Sequence, residues 1–298
     1  RAEGEVVRIT QGANPLLANG VEYVDLKSGE RRRVRCRLLL VCNNPIETPR
    51  LFLNSATRFH PRGLGNNNGL VGRYLFGHVG VVGAGRTSTC LNSSIGYNMG
   101  NVVTLDYSRP RAGDAIGGIV IASLQGAGAG VLAVDPYRQL WGRALKDAMR
   151  GYNRNLYAVA FGEGLPVHGN RVALSSTLTD RHGAAQARIE YHWHANDLAV
   201  DGRARQALTD VLKAAGAESI QLNPAPFEAH LGGTMRMGHS PWRSVTDAWG
   251  RVHGLRNVYV GGASQFVTGS SSNPTLTLHA LALRTAAHLR RRFRLQRR

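Results

Sequence analysis

The sequence is poor in cysteine, lysine and aromatic residues, and it contains no long apolar run. The three cysteines lie far from any Cys-x-x-Cys spacing, which argues against a zinc site and a disulfide framework and favours a reducing compartment. Because no stretch is long enough to span a bilayer and no secretory signal is visible, we predict a cytoplasmic protein without a membrane segment. The chain also lacks an initiator methionine, and its first residues read as the inside of a strand, so we expect that an N-terminal part is missing.

The charge is one-sided: 37 lysine and arginine residues against 19 acidic residues give a formal net charge of +18. All but three of the basic residues are arginine, and most are scattered along the whole chain. Aromatic residues make up only 7% of the sequence and do not alternate with the basic runs as a base-stacking surface requires. We interpret the charge as solvated arginine-rich faces and predict no nucleic-acid partner. The alternative, a basic nucleic-acid-binding protein, predicts binding that weakens steeply with salt.

Changes in composition divide the chain into three segments. Residues 79–225 alternate short strands with helical stretches at 136–150 and 199–215, which is an α+β pattern with an antiparallel sheet. Residues 226–298 return to the composition of residues 1–78. We therefore predict an α/β domain, contributed by the first and last segments, interleaved with an α+β domain that binds the substrate.

The first segment is predicted to open with a β-meander over about residues 5–41. Its last run, Leu38 to Val41, is apolar on both faces, as in a central strand of a parallel sheet. Thr48 and Pro49 then suit the N-cap and N1 positions of a short helix, which we predict over residues 50–55.

Two glycine runs and one histidine pair have some features of ligand sites but lack others that such sites require. Gly126 to Gly130 follows a strand-like run, but Val131 stands where a dinucleotide fingerprint needs its third glycine, so we predict a flexible loop. The run at 63–69 follows a helix and fails the same test. His192 and His194 share one face of a predicted strand, but no further ligand is suitably spaced, and we predict no metal site. No Gly-x-Ser-x-Gly elbow indicates a serine hydrolase.

The stretch 227–290 is built to bring bare backbone up to a large planar or anionic cofactor. His230 opens a Leu-Gly-Gly-Thr turn, where the chain must pass close to another group. A short apolar strand at 257–260 then ends in Gly261 and Gly262. The residues alone leave His230 open between a structural and a functional role.

Asn273 and Pro274 precede a long helix that we predict to run to about Arg292. Asn273 is most simply the N-cap of this helix, with Pro274 at N1. A broad stripe of leucine and alanine predicts that the helix is largely buried. The stripe consists of Leu276, Leu278, Ala280, Leu281, Ala282, Leu283, Ala287 and Leu289.

At these residues the chain resembles the glucose–methanol–choline (GMC) family of flavin-dependent oxidoreductases. The segment HLGGTMRMG, from His230 to Gly238, is similar to the family motif His-x-x-Gly-Thr-x-x-Met-Gly. SVTDAWGRVHGLRNVYVGGAS resembles the flavin-contacting strand, and SSNPTLTLHALALR resembles the Asn-Pro helix start. IETPRLFLNS, GLVGRYLFGH and FGEGLPVHGNRVAL resemble further segments, so the resemblance touches nearly the whole chain and is nearest to bacterial sugar or glycoside oxidoreductases.

This resemblance implies FAD as cofactor and oxidation of a sugar or polyol alcohol by hydride transfer to flavin N5. His230 matches the family's base, and a neutral histidine has a pKa suited to taking the hydroxyl proton. Asn273 matches the second member of the pair, which orients the alcohol oxygen. The helix start would stabilise negative charge on the reduced flavin, and the strand end would approach it closely. The implied cofactor-binding residues are Gly261, Gly262, Ala263, Asn273, Pro274 and Thr275. The electron acceptor stays open.

Three departures from the family pattern qualify this prediction. The strand–GxGxxG–helix unit that binds the ADP half of FAD is absent from the sequence, and the missing part would be on the order of 200 residues, one further domain. Asn43 and Asn44 follow the apolar strand where small residues and a glycine are usual, and we expect asparagine's tolerance of positive φ to preserve the turn. Val267 replaces a common proline. The alternative is therefore an inactive or incomplete fragment or subunit that does not bind FAD alone.

Overall fold

The computed structural model describes residues 3–92, 95, 99–124 and 139–293. The glycine run at 126–130 and the start of the helix predicted from residue 136 lie outside the described residues. Within them the fold is a mixture of helices with mostly antiparallel strands. No helix in these ranges is long and apolar enough to cross a bilayer.

The chain opens with a meander as predicted, but its third strand is Arg31–Arg35, and the predicted third run, at Leu38 to Val41, lies outside it. Strands β1 (Gly4–Gln11), β2 (Ala18–Asp25) and β3 (Arg31–Arg35) pair antiparallel in sequence order. β3 is exposed along its whole length, whereas Ile9 and Ala18 face a core shared with later parts of the chain.

Strand β4 (Leu39–Val41) and helix α1 (Glu47–Asn54) follow. The helix begins earlier than predicted, and Thr48 is not its N-cap. Instead the Asn44 side-chain Oδ1 accepts hydrogen bonds from the backbone N–H groups of Ile46 (2.9 Å) and Glu47 (2.8 Å). An asparagine oxygen thus satisfies donors that the first helical turn leaves free, and it fixes the turn after β4.

Six of the described strands form an antiparallel sheet around β5 (Phe76–Arg86). The other strands are β6 (Met99–Thr104), β7 (Ile119–Leu124), β8 (Asn155–Glu163), β11 (Ser219–Leu222) and β12 (Phe227–Gly232). β8 pairs over its full length with His78 to Arg86 of β5 on one side, while β11 and β12 share the other side of β5. β9 (Arg171–Thr179) and β10 (Ala185–Glu190) make a separate hairpin.

The predicted antiparallel sheet is therefore confirmed, and its strands run from Phe76 to Gly232. The division of the chain into domains at 78 and 225 stays a prediction.

Two helices accompany this sheet: α2 (Gly142–Arg150) and α3 (Ala195–Ala214). Val200, Ala204 and Leu208 recur every four residues on α3 and are completely buried. They pack against Val79 and Ile119 in the sheet core. Burying each such valine or leucine contributes about 1.5–3 kcal/mol, so this contact holds β5 rigid behind the site described below.

Strand β13 (Val258–Val260) pairs in parallel with β4, as the apolar run at Leu38 to Val41 predicted. Phe52 of α1 and Met235 pack with these strands in one core. Helix α4 (Thr275–Arg292) closes the described chain.

The prediction that α4 is largely buried is wrong. Only Thr285 and Leu289 are buried, whereas Leu276 is 82% exposed and Leu283 72% exposed. The helix contacts the body along another side, where the His288 ring stacks on Trp249 with centroids 4.9 Å apart. The part of the stripe at Leu276 and Leu283 is therefore uncovered by the described residues.

Candidate active site

A bulge in strand β12 sets the position of His230. Ala229 pairs with His78 of β5, but the next paired residue, Gly232, lies opposite Phe76, so β12 carries one extra residue. His230 takes up this irregularity with φ +54°, a left-handed conformation that is uncommon for residues other than glycine. Neighbouring residues of a regular strand point to opposite faces; the bulge instead turns the His230 ring toward that of His78.

The two histidines make a direct hydrogen bond. Nδ1 of His230 lies 3.1 Å from Nδ1 of His78, and the rings meet edge to face with centroids 4.9 Å apart. The Phe161 ring lies 5.2 Å from the His230 ring and 5.7 Å from the His78 ring. The pair is thus held on the sheet by three strands, β5, β8 and β12.

Burial keeps both rings neutral. His78 is fully buried, and burial together with the charge of His230 lowers the pKa of His78 to about 4, against the opposing effect of backbone groups of Gly269 and Ser270. Burial also lowers the pKa of His230 from its ordinary value. A partly accessible, unprotonated imidazole next to a buried one is suited to accept a proton near neutral pH.

The loop between β13 and α4 reaches the histidine pair. The carbonyl oxygen of Gly269 lies 3.5 Å from Nε2 of His78. One residue later, the N–H of Ser270 donates to the Glu163 carboxylate at 3.1 Å, with Ser270 at φ +55°. These two contacts fasten the loop to β5 and β8.

Further along this loop, a groove with a cavity of about 330 Å³ runs beside the start of α4. Its walls include Met237, Phe266, Val267, Gly269, Ser270, Asn273, Pro274 and Thr277. Asn273 lines this groove, whereas His230 is not part of its wall. Gly269 is the link, because it lines the groove and also contacts His78.

The expectation that Asn273 caps α4 is wrong. The helix begins at Thr275 after Pro274, and no side chain makes the cap hydrogen bond. The ring of Pro274 occupies the capping position in a helical conformation, with φ −83° and ψ −1°. The exposed Asn273 side chain therefore makes no capping bond and borders the groove.

The strand β13 ends at the two glycines, as predicted, and they form a turn. Gly261 continues the parallel pairing through its N–H, which donates to the Val41 carbonyl at 2.7 Å. Gly262 has φ +91° and ψ −177°, a conformation that is essentially restricted to glycine. A short 3-10 helix, Ala263–Gln265, follows.

This turn is bonded to the loop that carries the Gly-Thr-x-x-Met-Gly motif. The N–H of Met235 donates to the Ser264 carbonyl (2.7 Å), and that of Met237 donates to the Gln265 carbonyl (2.9 Å). The two segments that the sequence singled out separately are therefore one structural unit.

Residues at this turn fit a flavin. A Cβ added to Gly262 would have only the Asn43 carbonyl oxygen, at 3.5 Å, as a neighbour, so the strand end has open space beside it. The Ser264 hydroxyl is buried and has no hydrogen-bond partner among the described residues. Backbone without a side chain lets a planar ring system such as a flavin lie close to the strand end, and the unpaired Ser264 hydroxyl can bond to a polar atom at the edge of the ring.

The asparagines after β4 do not adopt the conformation we expected. Neither Asn43 nor Asn44 has a positive φ. The Asn44 side chain is used as the α1 cap described above, while the Asn43 carbonyl accepts from the Thr48 hydroxyl at 2.9 Å. The turn is supported by these hydrogen bonds rather than by a left-handed backbone.

The second histidine pair lies outside a strand, contrary to prediction. β10 ends at Glu190, and His194 is the N-cap of α3, with its Nδ1 accepting from the N–H of Asn196 at 3.1 Å. The N–H of His192 donates to the Asn170 side chain at 2.9 Å. This pair serves the connection into α3.

Sequence reasoning missed His78 as a site residue. It belongs to the segment GLVGRYLFGH, which was one available signal, but on its own it is one histidine in an apolar strand. Only the pairing of β5 with β12 brings it to His230.

Comparison with known proteins agrees with this geometry. Residues 166–282 match the family model described as "GMC oxidoreductase". The chain is 33% identical over 286 residues to 2-methyl-1,2-propanediol dehydrogenase of Mycolicibacterium austroafricanum, covering 93% of this chain and 52% of that protein. It is 30% identical over 271 residues to the fructose dehydrogenase large subunit of Gluconobacter japonicus, covering 86% and 48%.

The fold has solved counterparts as well. A formate oxidase from Aspergillus oryzae RIB40, described in connection with modification of its FAD, superposes with a TM-score of 0.68 at 14% identity, covering 97% of this chain and 60% of that one. The chain spans about half the length of the curated relatives it matches. The resemblance noted in the sequence is confirmed: the chain belongs to the GMC oxidoreductase family.

Proposed function

We propose that this chain supplies the substrate-facing part of an FAD-dependent oxidoreductase that oxidises a CH–OH group of a sugar or polyol. The observation that carries the proposal is the neutral His230–His78 pair beside a glycine turn that leaves room for a planar cofactor. Family membership supports the reaction class. The relatives named for a diol and for fructose support the substrate class.

In this proposal His230 accepts the proton of the substrate hydroxyl. Burial favours its neutral form by lowering its pKa, so the base is available without prior deprotonation. The Asn273 side chain, free of any capping role, orients the alcohol oxygen from the groove. FAD, when bound, would supply the hydride acceptor.

Gly261, Gly262 and Ala263 would hold the flavin end of the cofactor, with Ser264 beside them. At the start of α4, Pro274 fixes the backbone and has no N–H of its own, while the N–H groups of the first turn, beginning at Thr275, have no partner within the helix. The partial positive charge of this helix end favours an electron-rich ring system.

We also infer that a polypeptide part outside this chain completes the FAD site, whether it is separate or continuous with it. The chain spans about half of its relatives. Its parallel pairing is limited to β4 and β13 among the described strands, and the α4 stripe at Leu276 and Leu283 is exposed. On this basis the α/β part is an incomplete Rossmann-like domain.

The test compares two preparations: this chain, and an extended protein that includes the in-frame upstream coding sequence. We expect the extended protein to be yellow and to be bleached by fructose or 2-methyl-1,2-propanediol under anaerobic conditions. An extended protein that binds no flavin after gentle purification would contradict the proposal.

A matched pair of variants tests the base. His230→Ala should lower kcat with a redox dye by about 10²–10⁴-fold, because general-base catalysis contributes that much. His192→Ala removes an exposed histidine away from the pair and should leave kcat unchanged. Equal activity of both variants would rule out His230 as the base.

A further inference from the structure

The two ring nitrogens of His78 face the backbone of the loop at Gly269 and Ser270 on one side and His230 on the other. Nε2 of His78 faces the Gly269 carbonyl oxygen at 3.5 Å, and Nδ1 of His78 faces Nδ1 of His230 at 3.1 Å. A carbonyl oxygen can only accept a hydrogen bond. The hydrogen of a neutral His78 ring therefore belongs on Nε2, and its Nδ1 carries a lone pair.

This assignment dictates the tautomer of His230. Two lone pairs cannot face each other across 3.1 Å, so Nδ1 of His230 must carry the hydrogen that it donates to His78. The opposite arrangement would set the unprotonated Nε2 of His78 against the Gly269 carbonyl. That would leave two acceptors facing each other in a fully buried place, at a cost in desolvation.

We propose that His78 is a positioning residue that holds His230 in its Nδ1–H tautomer, so that Nε2 of His230 faces the substrate as the proton acceptor. This inference rests on the proposed function, because it assigns the atom of His230 that takes the proton. The second nitrogen of a working histidine is commonly fixed by the partner of the first.

The surroundings suit a fixed acceptor rather than a proton relay. Burial lowers the pKa of His78 and keeps it unprotonated at neutral pH, so a proton gained by His230 stays on His230. Phe161 lies against both rings and restricts their rotation. The bulge at His230 fixes the direction of its ring from the backbone side.

Two substitutions separate the contacts of His78. His78→Asn places an amide oxygen near the former Nδ1 and keeps an acceptor for His230. His78→Gln places its amide near the former Nε2, so it keeps the contact with Gly269 but removes that acceptor. The difference between the two variants isolates the bond to His230 from the packing of the side chain.

The primary measurement is long-range proton–nitrogen NMR of the chain with ¹⁵N-labelled histidine rings, which reports which ring nitrogen carries hydrogen. The signals of His230 are assigned by their loss in His230→Gln. We expect Nδ1–H with unprotonated Nε2 in the wild type and in His78→Asn, and a mixture of tautomers in His78→Gln. A wild-type spectrum with hydrogen on Nε2 of His230 overturns the inference, even if neither variant folds. An unchanged pattern in folded His78→Gln overturns it as well.

Kinetics of the extended protein complete the test. His78→Gln should lower kcat by at least about tenfold with little change in KM, and His78→Asn should recover most of it. Equal kcat values in the two variants would contradict the inference. If the NMR pattern is as expected but the wild type oxidises no alcohol, the proposed function fails while the tautomer assignment stands.

Discussion

Acidification should destabilise this fold through one buried ring, that of His78. The side chain is fully buried, and its pKa is lowered from 6.5 to about 4, chiefly by burial. In the unfolded chain an exposed histidine titrates near its ordinary pKa of about 6.5. The unfolded state therefore binds more protons between these two values, and the free energy of unfolding must fall as the pH falls through this window.

The two pKa values set the size of the effect. One pKa unit corresponds to about 1.4 kcal/mol, so His78 alone should remove about 1.4 kcal/mol of stability at pH 5.5 and about 3 kcal/mol at pH 4, relative to pH 8. The lowered pKa of His230 acts in the same direction. This is a large part of the stability of an ordinary domain.

The assay is urea unfolding followed by tryptophan fluorescence at pH 8, 5.5 and 4, on the wild type and on His78→Asn. The carboxylates are common to both proteins, so their titration largely cancels in the difference. The variant lacks the titrating ring. From pH 8 to pH 4 its free energy of unfolding should therefore fall by up to about 3 kcal/mol less than that of the wild type. A stability difference that stays constant across the three pH values would refute the reasoning.

Three further predictions concern the turns and the exposed helix. In urea unfolding, Gly262→Ala should lower the free energy of unfolding by about 1–3 kcal/mol, because the backbone of Gly262 has a conformation restricted to glycine. The control Gly169→Ala, at a glycine with open space and no positive φ, should change it by less than about 0.5 kcal/mol. Asn44→Ala should cost about 1 kcal/mol through loss of the α1 cap, and Asn44→Asp should restore it in thermal melts; equal melting temperatures for both would contradict the cap. Leu276→Gln and Leu283→Gln should leave the stability of this chain within about 0.5 kcal/mol, yet lower the flavin absorbance per mole of the extended protein; unchanged flavin content would argue against an interface there.

Much of the local structure follows from patterns in the sequence. Alternation and turn residues predicted the first two strands of the meander, because a half-buried antiparallel strand must alternate, but they missed the exposed arginine-rich strand β3. The apolar run before Cys42 predicted a parallel strand, and β4 does pair in parallel with β13. The end of β13 at Gly261 and Gly262 was predictable, because two glycines at a strand end allow backbone conformations that other residues avoid and let the backbone pass close to another group.

The parts that could not be predicted depend on contacts between distant segments. His78 and His230 are 152 positions apart, and their hydrogen bond needs both the β5–β12 register and the extra residue in β12. The helical spacing of leucine and alanine shows that α4 has an apolar stripe, but it does not show what the stripe packs against, so the prediction that α4 is buried was wrong. Asn273 looked like a cap because Asn-Pro is a good helix start, and local capping rules do not reveal that Pro274 takes that position.

The proposed base, His230, and the proposed cofactor turn at Gly262 should be lost independently of each other. His230 is fixed by its bond to His78 and by the β12 bulge, while the turn at Gly262 is fixed by β13 and by the carbonyl groups of Ser264 and Gln265. Both sets of bonds lie within the protein and do not need a ligand. The loop from Gly233 to Gly238 and the contact of Gly269 with His78 join them, so the distance from base to cofactor turn is set by bonds within the protein before anything binds.

It follows that loss of cofactor should leave the histidine pair intact. The NMR pattern of His230 should be the same in this chain as in a flavin-loaded protein, apart from groups that touch the flavin. A Gly262→Ala protein that has lost its flavin should likewise keep the Nδ1–H tautomer of His230. A tautomer that appears only after flavin binds would mean that the cofactor, rather than His78, arranges the base.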